Sequence, residues 1–274
     1  MVISILDDDI VLYRLHAIQP DQIYQQARLH APKAFCLRSQ HQQNCIRDIA
    51  PVPVGLITEL CGPASSGKTQ ACLSFAIDCF MATSRKMIYI DTENNFCTDR
   101  LGQILSARYL GHSMSEQHFM QLANSVIVFK ESAPDRLLER LRNLDETIIS
   151  EKIGCLILDS IAATCHSLLD SKKNEYLAEC ASQLKYIADR FALSCLVTNQ
   201  VIGNYQKAIV VNPTLGSVRP ALGLQWNHAV NIRYMLEPGL IQGPRTLQVH
   251  KSPLGIFTIK YKITEAGLIP DLNQ

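Results

Sequence analysis

The sequence predicts an α/β protein: a mostly parallel sheet with helices on both faces and antiparallel strands at its C-terminal edge. Three observations carry this. Short apolar runs alternate with amphipathic stretches from residue 54 to about 197, the pattern of strand–helix–strand units. A glycine loop, Gly62-Pro63-Ala64-Ser65-Ser66-Gly67-Lys68-Thr69, fits G-x-x-x-x-G-K-[ST] and stands between the first run and the first helix. Beyond residue 224, the runs 228–236, 246–250 and 256–263 follow one another with no helical stretch between them, which reads as antiparallel edge strands.

In chain order, residues 1–50 predict a short N-terminal helical segment and linker, and residues 51–274 the core. Apolar positions in 10–18 and 23–29 suggest two short helices separated by Pro20, and Asp7-Asp8-Asp9 reads as a solvated helix start. Residues 30–53 are polar and broken by Pro32, Pro51 and Pro53. The core opens with the buried strand 54–60, and residues 68–81, free of Gly and Pro, predict the first helix. Strand 86–91 ends in Asp91, Thr98 caps a helix over 99–108, and 125–129 is the third strand. Ser132 is placed as the cap of one helix running to about Ser150, with Pro134 in its first turn. Strand 153–158 runs into Asp159, helix 174–191 carries an apolar face, and strand 194–197 runs into Thr198-Asn199-Gln200. Residues 203–224, with little periodicity, predict a long mobile loop.

Composition bounds the function. A chain of 274 residues with 47% hydrophobic content and a net charge of +1 can bury one large core but has no general basic field, so any nucleic-acid contact must be local. The ten cysteines form no C-x-x-C and no zinc spacing. Cys72, Cys79, Cys155 and Cys195 sit in apolar runs as small hydrophobes, and with no signal peptide in view the expected compartment is reducing, cytosol or nucleus. No apolar run reaches the roughly 18 residues that span a bilayer, so no membrane is expected.

The glycine loop predicts a nucleoside triphosphate and Mg2+ as ligands. Strand, loop and helix N-terminus form an anion cradle in which backbone N–H groups wrap a phosphate, Lys68 reaches the β and γ oxygens, and the Thr69 hydroxyl ligates magnesium. Ligands of open α/β sheets bind beyond the carboxyl ends of the strands. Those ends carry Asp159 for magnesium, Glu93 to polarise an attacking water, and Asn199-Gln200 to hydrogen-bond the γ-phosphate. A phosphoryl-transferring kinase would need a lid and an acceptor site, which the loop after Gln200 and the edge strands do not supply.

The order of these motifs resembles the RecA/RadA family of recombination ATPases. The resemblance rests on Gly67-Lys68-Thr69-Gln70, on Tyr89-Ile90-Asp91-Thr92-Glu93 followed by Asp99-Arg100-Leu101, on Leu158-Asp159-Ser160 and on Thr198-Asn199-Gln200-Val201. Within the family, the stretches 57–63, 182–188, 251–254 and 265–268 are most similar to the B-type paralogues of the eukaryotic strand-exchange recombinase. The resemblance implies a DNA-dependent ATPase of homologous-recombination repair in the nucleus, assembled with other paralogues and acting on single-stranded or branched DNA. It implies that Lys68, Glu93 and Gln200 are catalytic, that Thr69 and Asp159 hold Mg2+, that residues 62–70 bind the phosphates and that Arg100 packs on the adenine. It implies DNA-binding loops near 164–174 and 203–224, with Lys172, Lys173, Lys207 and Arg219 as their basic residues. Two departures stand out. Phe35-Cys36-Leu37-Arg38 has arginine where the family's subunit anchor has a small side chain, which argues against recombinase-like self-polymerisation. Lys251 occupies a segment that caps the neighbour's nucleotide, where an acid is usual, so its ammonium is expected to approach that γ-phosphate in trans.

Overall fold

The first strand, β1 (Ile57–Cys61), is buried along its whole length and lies inside a nine-stranded sheet. The computed structural model describes residues 50–109, 120–122, 124–203, 219–238, 245–253 and 255–271. The expectations for the N-terminal segment, the Asp7-Asp8-Asp9 run, the anchor near Phe35 and the Lys207 loop lie outside these residues.

After β1 come α1 (Lys68–Thr83), β2 (Lys86–Asp91), α2 (Thr98–Tyr109), β3 (Val126–Lys130), α3 (Pro134–Arg142), α4 (Asp145–Ser150) and β4 (Ile153–Asp159). They are followed by α5 (Ile161–Thr164), a 3-10 turn over Cys165–Ser167, α6 (Asp170–Arg190), β5 (Ser194–Asn199), β6 (Val201–Ile202) and β7 (Arg219–Pro220). The chain closes with α7 (Gly223–Ala229), β8 (Ile232–Glu237), β9 (Arg245–Lys251), β10 (Thr258–Thr264) and β11 (Gly267–Pro270). The large sheet has the order β11-β10-β9-β8-β1-β5-β4-β2-β3, and β6 pairs separately with β7.

The central strands read as continuous apolar runs because helices cover both faces. In β4, Cys155 and Ile157 enter one core while Leu156 and Leu158 enter the other. In β2, Met87 and Tyr89 join the first, and Ile88 and Ile90 the second. This is the two-residue period of a pleated strand, and each fully buried leucine or isoleucine stabilises the fold by about 2 kcal/mol. Helices α1 and α2 cover the first face; α3, α4, α6 and α7 cover the second. Helix α1 is buried without a break from Ala71 to Phe80, because β11 lies over its far side, where Ser74 Oγ accepts from Leu268 N at 3.0 Å. Buried Asp78 is paired with Arg108 of α2 at 2.7 Å.

Four expectations are corrected. The stretch after Ser132 is two helices rather than one: Asn143-Leu144 breaks it, and Asp145-Glu146 start α4, where acidic side chains favour a helix N-terminus. Ala133, not Ser132, occupies the N-cap of α3, without a side-chain bond. The run 228–236 is the end of α7 followed by β8, and β8 is parallel to β1. Asn231 sets that register, since its N–H donates to Ile57 O at 3.0 Å and its side chain accepts from Ile57 N at 3.0 Å. Only β9, β10 and β11 add antiparallel to the sheet. Finally, α6 begins at Asp170, so most of the expected loop 164–174 is helical or a 3-10 turn.

Candidate phosphate site at the strand ends

The loop from Gly62 to Thr69 leaves the buried end of β1 and turns at once into α1. Two glycines make that turn possible. Gly67 has φ 101°, a left-handed conformation, and a Cβ there would meet Ile263 Cδ1 at 2.6 Å. A Cβ at Gly62 would meet Ser66 Oγ at 2.5 Å and Leu236 O at 2.9 Å. The loop is then braced from the C-terminal strands: Tyr261 donates to Ser66 O at 2.6 Å, and Arg245 donates to Ser65 O at 3.0 Å. Sequence reading missed both braces, since nothing local to the motif points to residues so distant in the chain.

Beside the loop opens a cleft of about 620 Å3, lined among others by Lys68, Thr69, Gln70, Glu93, Asp159 and Gln200. These residues come from α1 and from the carboxyl ends of β2, β4 and β5. The parallel pairing of β2 with β4 sets Asp91 opposite Asp159, and β5 lies on the other side of β4. Lys68 folds back across the cradle and donates to Gly62 O at 2.8 Å and Pro63 O at 2.9 Å. Burial pushes its ammonium below the usual lysine range, and Asp159 and then Glu93 pull it back up. An arriving phosphate would offer the ammonium stronger, charge-assisted bonds.

Asp159 accepts from three hydroxyls: Thr69 at 2.8 Å, Tyr89 at 2.7 Å and Thr198 at 2.5 Å. Tyr89 and Thr198 are additions to the predicted set. Tyr89 was findable, because a tyrosine inside a buried strand requires a partner for its hydroxyl, and it lies opposite Ile157, two residues before Asp159. Burial, then Asp159, pushes its phenol well up. Thr69 and Asp159 put two hard oxygen ligands side by side at the phosphate loop. That donor set fits Mg2+, which binds through one or two protein oxygens plus substrate phosphates and water. Among the described residues no cluster of three or more His, Cys, Asp and Glu could hold a metal by itself.

Glu93 is exposed at the mouth of the cleft, and both of its oxygens are engaged. Ser160 Oγ donates to Oε1 at 2.5 Å, and Asn95 Nδ2 donates to Oε2 at 3.2 Å. Asp91 is turned away from the cleft chemistry: its carboxylate accepts from the backbone N–H groups of Glu93, Asn95 and Phe96 and shapes the turn that presents Glu93. Of the Asn199-Gln200 pair, only Gln200 lines the cleft. The Asn199 side chain is buried and donates to Glu59 at 2.6 Å, so its expected contact with the γ-phosphate is corrected.

The remaining predicted residues lie elsewhere. Arg100 does not line the cleft; its guanidinium is tied to Gln70 at 2.7 Å and to Thr264 O at 2.6 Å, beside the start of α1. Lys172 and Lys173 lie in the first turn of α6, and Lys173 is paired with Asp170 at 2.8 Å. Arg219 is exposed on β7, paired with Ile202. Lys251 donates to Asn227 O at 2.8 Å and to Val230 O, carbonyls at the C-terminal end of α7, where a cation is favoured.

A phosphate loop between the central strand and a buried helix, acids at the neighbouring strand ends and antiparallel strands at one edge define a P-loop protein of the RecA-like class. A solved structure described as the RadB recombinase shares this fold, with a TM-score of 0.61 and 22% identity, covering 78% of this chain and 90% of that one. The family model described as Rad51 matches residues 50–271, and the chain belongs to that family. It is 34% identical over 247 residues to the human "DNA repair protein RAD51 homolog 2", covering 80% of this chain but 64% of the relative, less than two thirds of its length. The mouse protein of that name is 33% identical, and "DNA repair protein RAD51 homolog 3" of Cricetulus griseus 28%. Membership in that family agrees with the order of its motifs.

Proposed function

We propose that this chain is an ATP-binding, DNA-dependent ATPase subunit of a nuclear homologous-recombination repair complex, working beside other paralogues on single-stranded or branched DNA and assisting assembly of the recombinase filament. The observation that carries this is the convergence of Lys68, Thr69, Glu93, Asp159 and Gln200 on one cleft in a Rad51-family chain. Lys68 exchanges its own loop carbonyls for the phosphates, and residues 62–70 supply the backbone cradle. Thr69 and Asp159 would hold magnesium, which would neutralise phosphate charge. Glu93 orients and polarises the attacking water, while the Gln200 amide hydrogen-bonds the γ-phosphate. Arg100, bonded to Gln70 of the cleft lining, is the residue assigned to pack on the adenine. Lys172, Lys173, Lys207 and Arg219 are the candidate DNA contacts. A Lys251 contact with a neighbour's γ-phosphate requires that its bonds to α7 be released.

A second reading has a specific observation behind it. Ser160 and Asn95 engage both oxygens of Glu93, which favours a structural subunit that binds ATP at an interface and scarcely turns it over.

The test is ATP hydrolysis by the purified chain, with and without single-stranded DNA, beside its Lys68→Ala variant. Turnover that DNA stimulates and the variant abolishes supports the ATPase reading. ATP binding without turnover supports the structural one. Absence of nucleotide binding sinks both.

A further inference from the structure

Glu59 stands in the middle of β1 with 0% exposure, and a buried carboxylate persists only when paired and hydrogen-bonded. Its Oε1 accepts from Asn199 Nδ2 at 2.6 Å and from Trp226 Nε1 at 2.8 Å. Its Oε2 accepts from Arg233 Nε. Arg233 reaches on to the Asn227 side chain, and the Asn227 carbonyl is one of the two that hold Lys251.

This cluster begins next to the phosphate site. Asn199 immediately precedes Gln200, and Gln200 lines the cleft. The Gln200 carbonyl accepts from Ala221 N at 3.0 Å, two residues before α7. Two connections therefore run from Gln200 to α7: one along the backbone through Ala221, the other through Asn199 and Glu59 to Trp226. Asn199 Oδ1 and Arg233 Nη2 are buried without a hydrogen-bond partner. Such groups are costly to leave unmatched, and a polar network that is only partly satisfied lacks the full set of bonds that would fix it rigidly.

We propose that Glu59 is a positioning residue for the γ-phosphate response of Gln200, and that it passes the state of that residue to α7, where Trp226 registers it. The proposal rests on the nucleotide reading of the cleft. Small movements of Gln200 toward a γ-phosphate pull on Asn199, change the sharing of Glu59 Oε1 between Asn199 and Trp226, and so alter the seat of α7 against α6. A purely structural Glu59 would leave the indole in one environment whichever nucleotide is bound.

Trp226 is the single tryptophan of the sequence, so its emission reads this point alone. The full chain is loaded with Mg-ADP or with magnesium and a non-hydrolysable ATP analogue, with occupancy fixed by calorimetry. The expected result is a different emission maximum and a different acrylamide quenching in the two states. Asn199→Ala is expected to erase that difference and to weaken the preference for triphosphate over diphosphate about tenfold. Glu59→Gln, which keeps the shape of the side chain, is expected to reduce it in part. Identical emission with both nucleotides bound overturns the proposal while leaving the nucleotide reading intact. A full difference in Asn199→Ala also overturns it, and failure to bind either nucleotide overturns both. The wild-type comparison needs no buried substitution, so a variant that fails to fold does not shield the proposal.

Discussion

Thr69 at the start of α1 donates its hydroxyl to Asp159 at the end of β4, at 2.8 Å. This bond joins the phosphate loop to the acid strand and sets side by side the two oxygens proposed to bind magnesium. We predict that Asp159→Asn reduces the gain in nucleotide affinity conferred by magnesium by about tenfold or more. Affinity in EDTA should stay the same. Calorimetric titration with and without magnesium is the check, and an unchanged magnesium effect would remove Asp159 from the metal site.

Glu93 separates the two functional readings. If it orients water, Glu93→Gln should leave ATP affinity within about twofold and lower turnover by about 10²- to 10⁴-fold, the range of a general base. A variant as active as wild type would show that another group does this work.

Tyr261 ties stability to pH. Its hydroxyl donates to Ser66 O at 2.6 Å, and burial pushes the phenol from the ordinary 10.0 to about 12, although Arg245 acts in the opposite direction. A raised folded-state pKa means that the neutral phenol is favoured in the folded protein. Its stabilisation is complete below about pH 10 and is lost as pH rises toward about 12. We expect the melting temperature of wild type to fall more steeply across that interval than that of Tyr261→Phe. Parallel slopes would refute the assignment.

Thiol labelling tests the packing. Of the eight described cysteines, Cys97 alone is exposed, and burial pushes the Cys165 thiol up to about 11, so neutral pH leaves it without thiolate. A maleimide at pH 7.5 should modify Cys97 in the folded chain and lose that adduct in Cys97→Ser. Rapid labelling of Cys72 or Cys155 without denaturant would contradict the closed core.

Much of this was legible in the residues themselves. The glycine loop and its flanking elements were readable because phosphate geometry dictates both residue types and spacing. The positions of Asp159 and Glu93 at the cleft were readable because they lie at, or just beyond, the ends of apolar runs that must be buried strands. Asn199 misled for a related reason: a polar residue at a strand end was assigned to the ligand, whereas the buried carboxylate of Glu59 in the neighbouring strand β1 had claimed it. Glu59 gave no local sign, since an acid in Ile57-Thr58-Glu59-Leu60 looks like one side of an alternating strand. Its partners Trp226 and Arg233 lie far along the chain. The helix break at Asn143-Leu144 and the parallel placing of β8 were likewise decided by tertiary packing rather than local preference.

The braces on the phosphate loop have a consequence for how the protein is made. Tyr261 and Ser66 are 195 residues apart in sequence, and Ile263 and Leu268 pack where Gly67 turns. A chain emerging from the ribosome exposes its glycine motif well before the strands that hold that motif in shape. A nascent chain stalled before β10 therefore carries the motif without the braces that shape it.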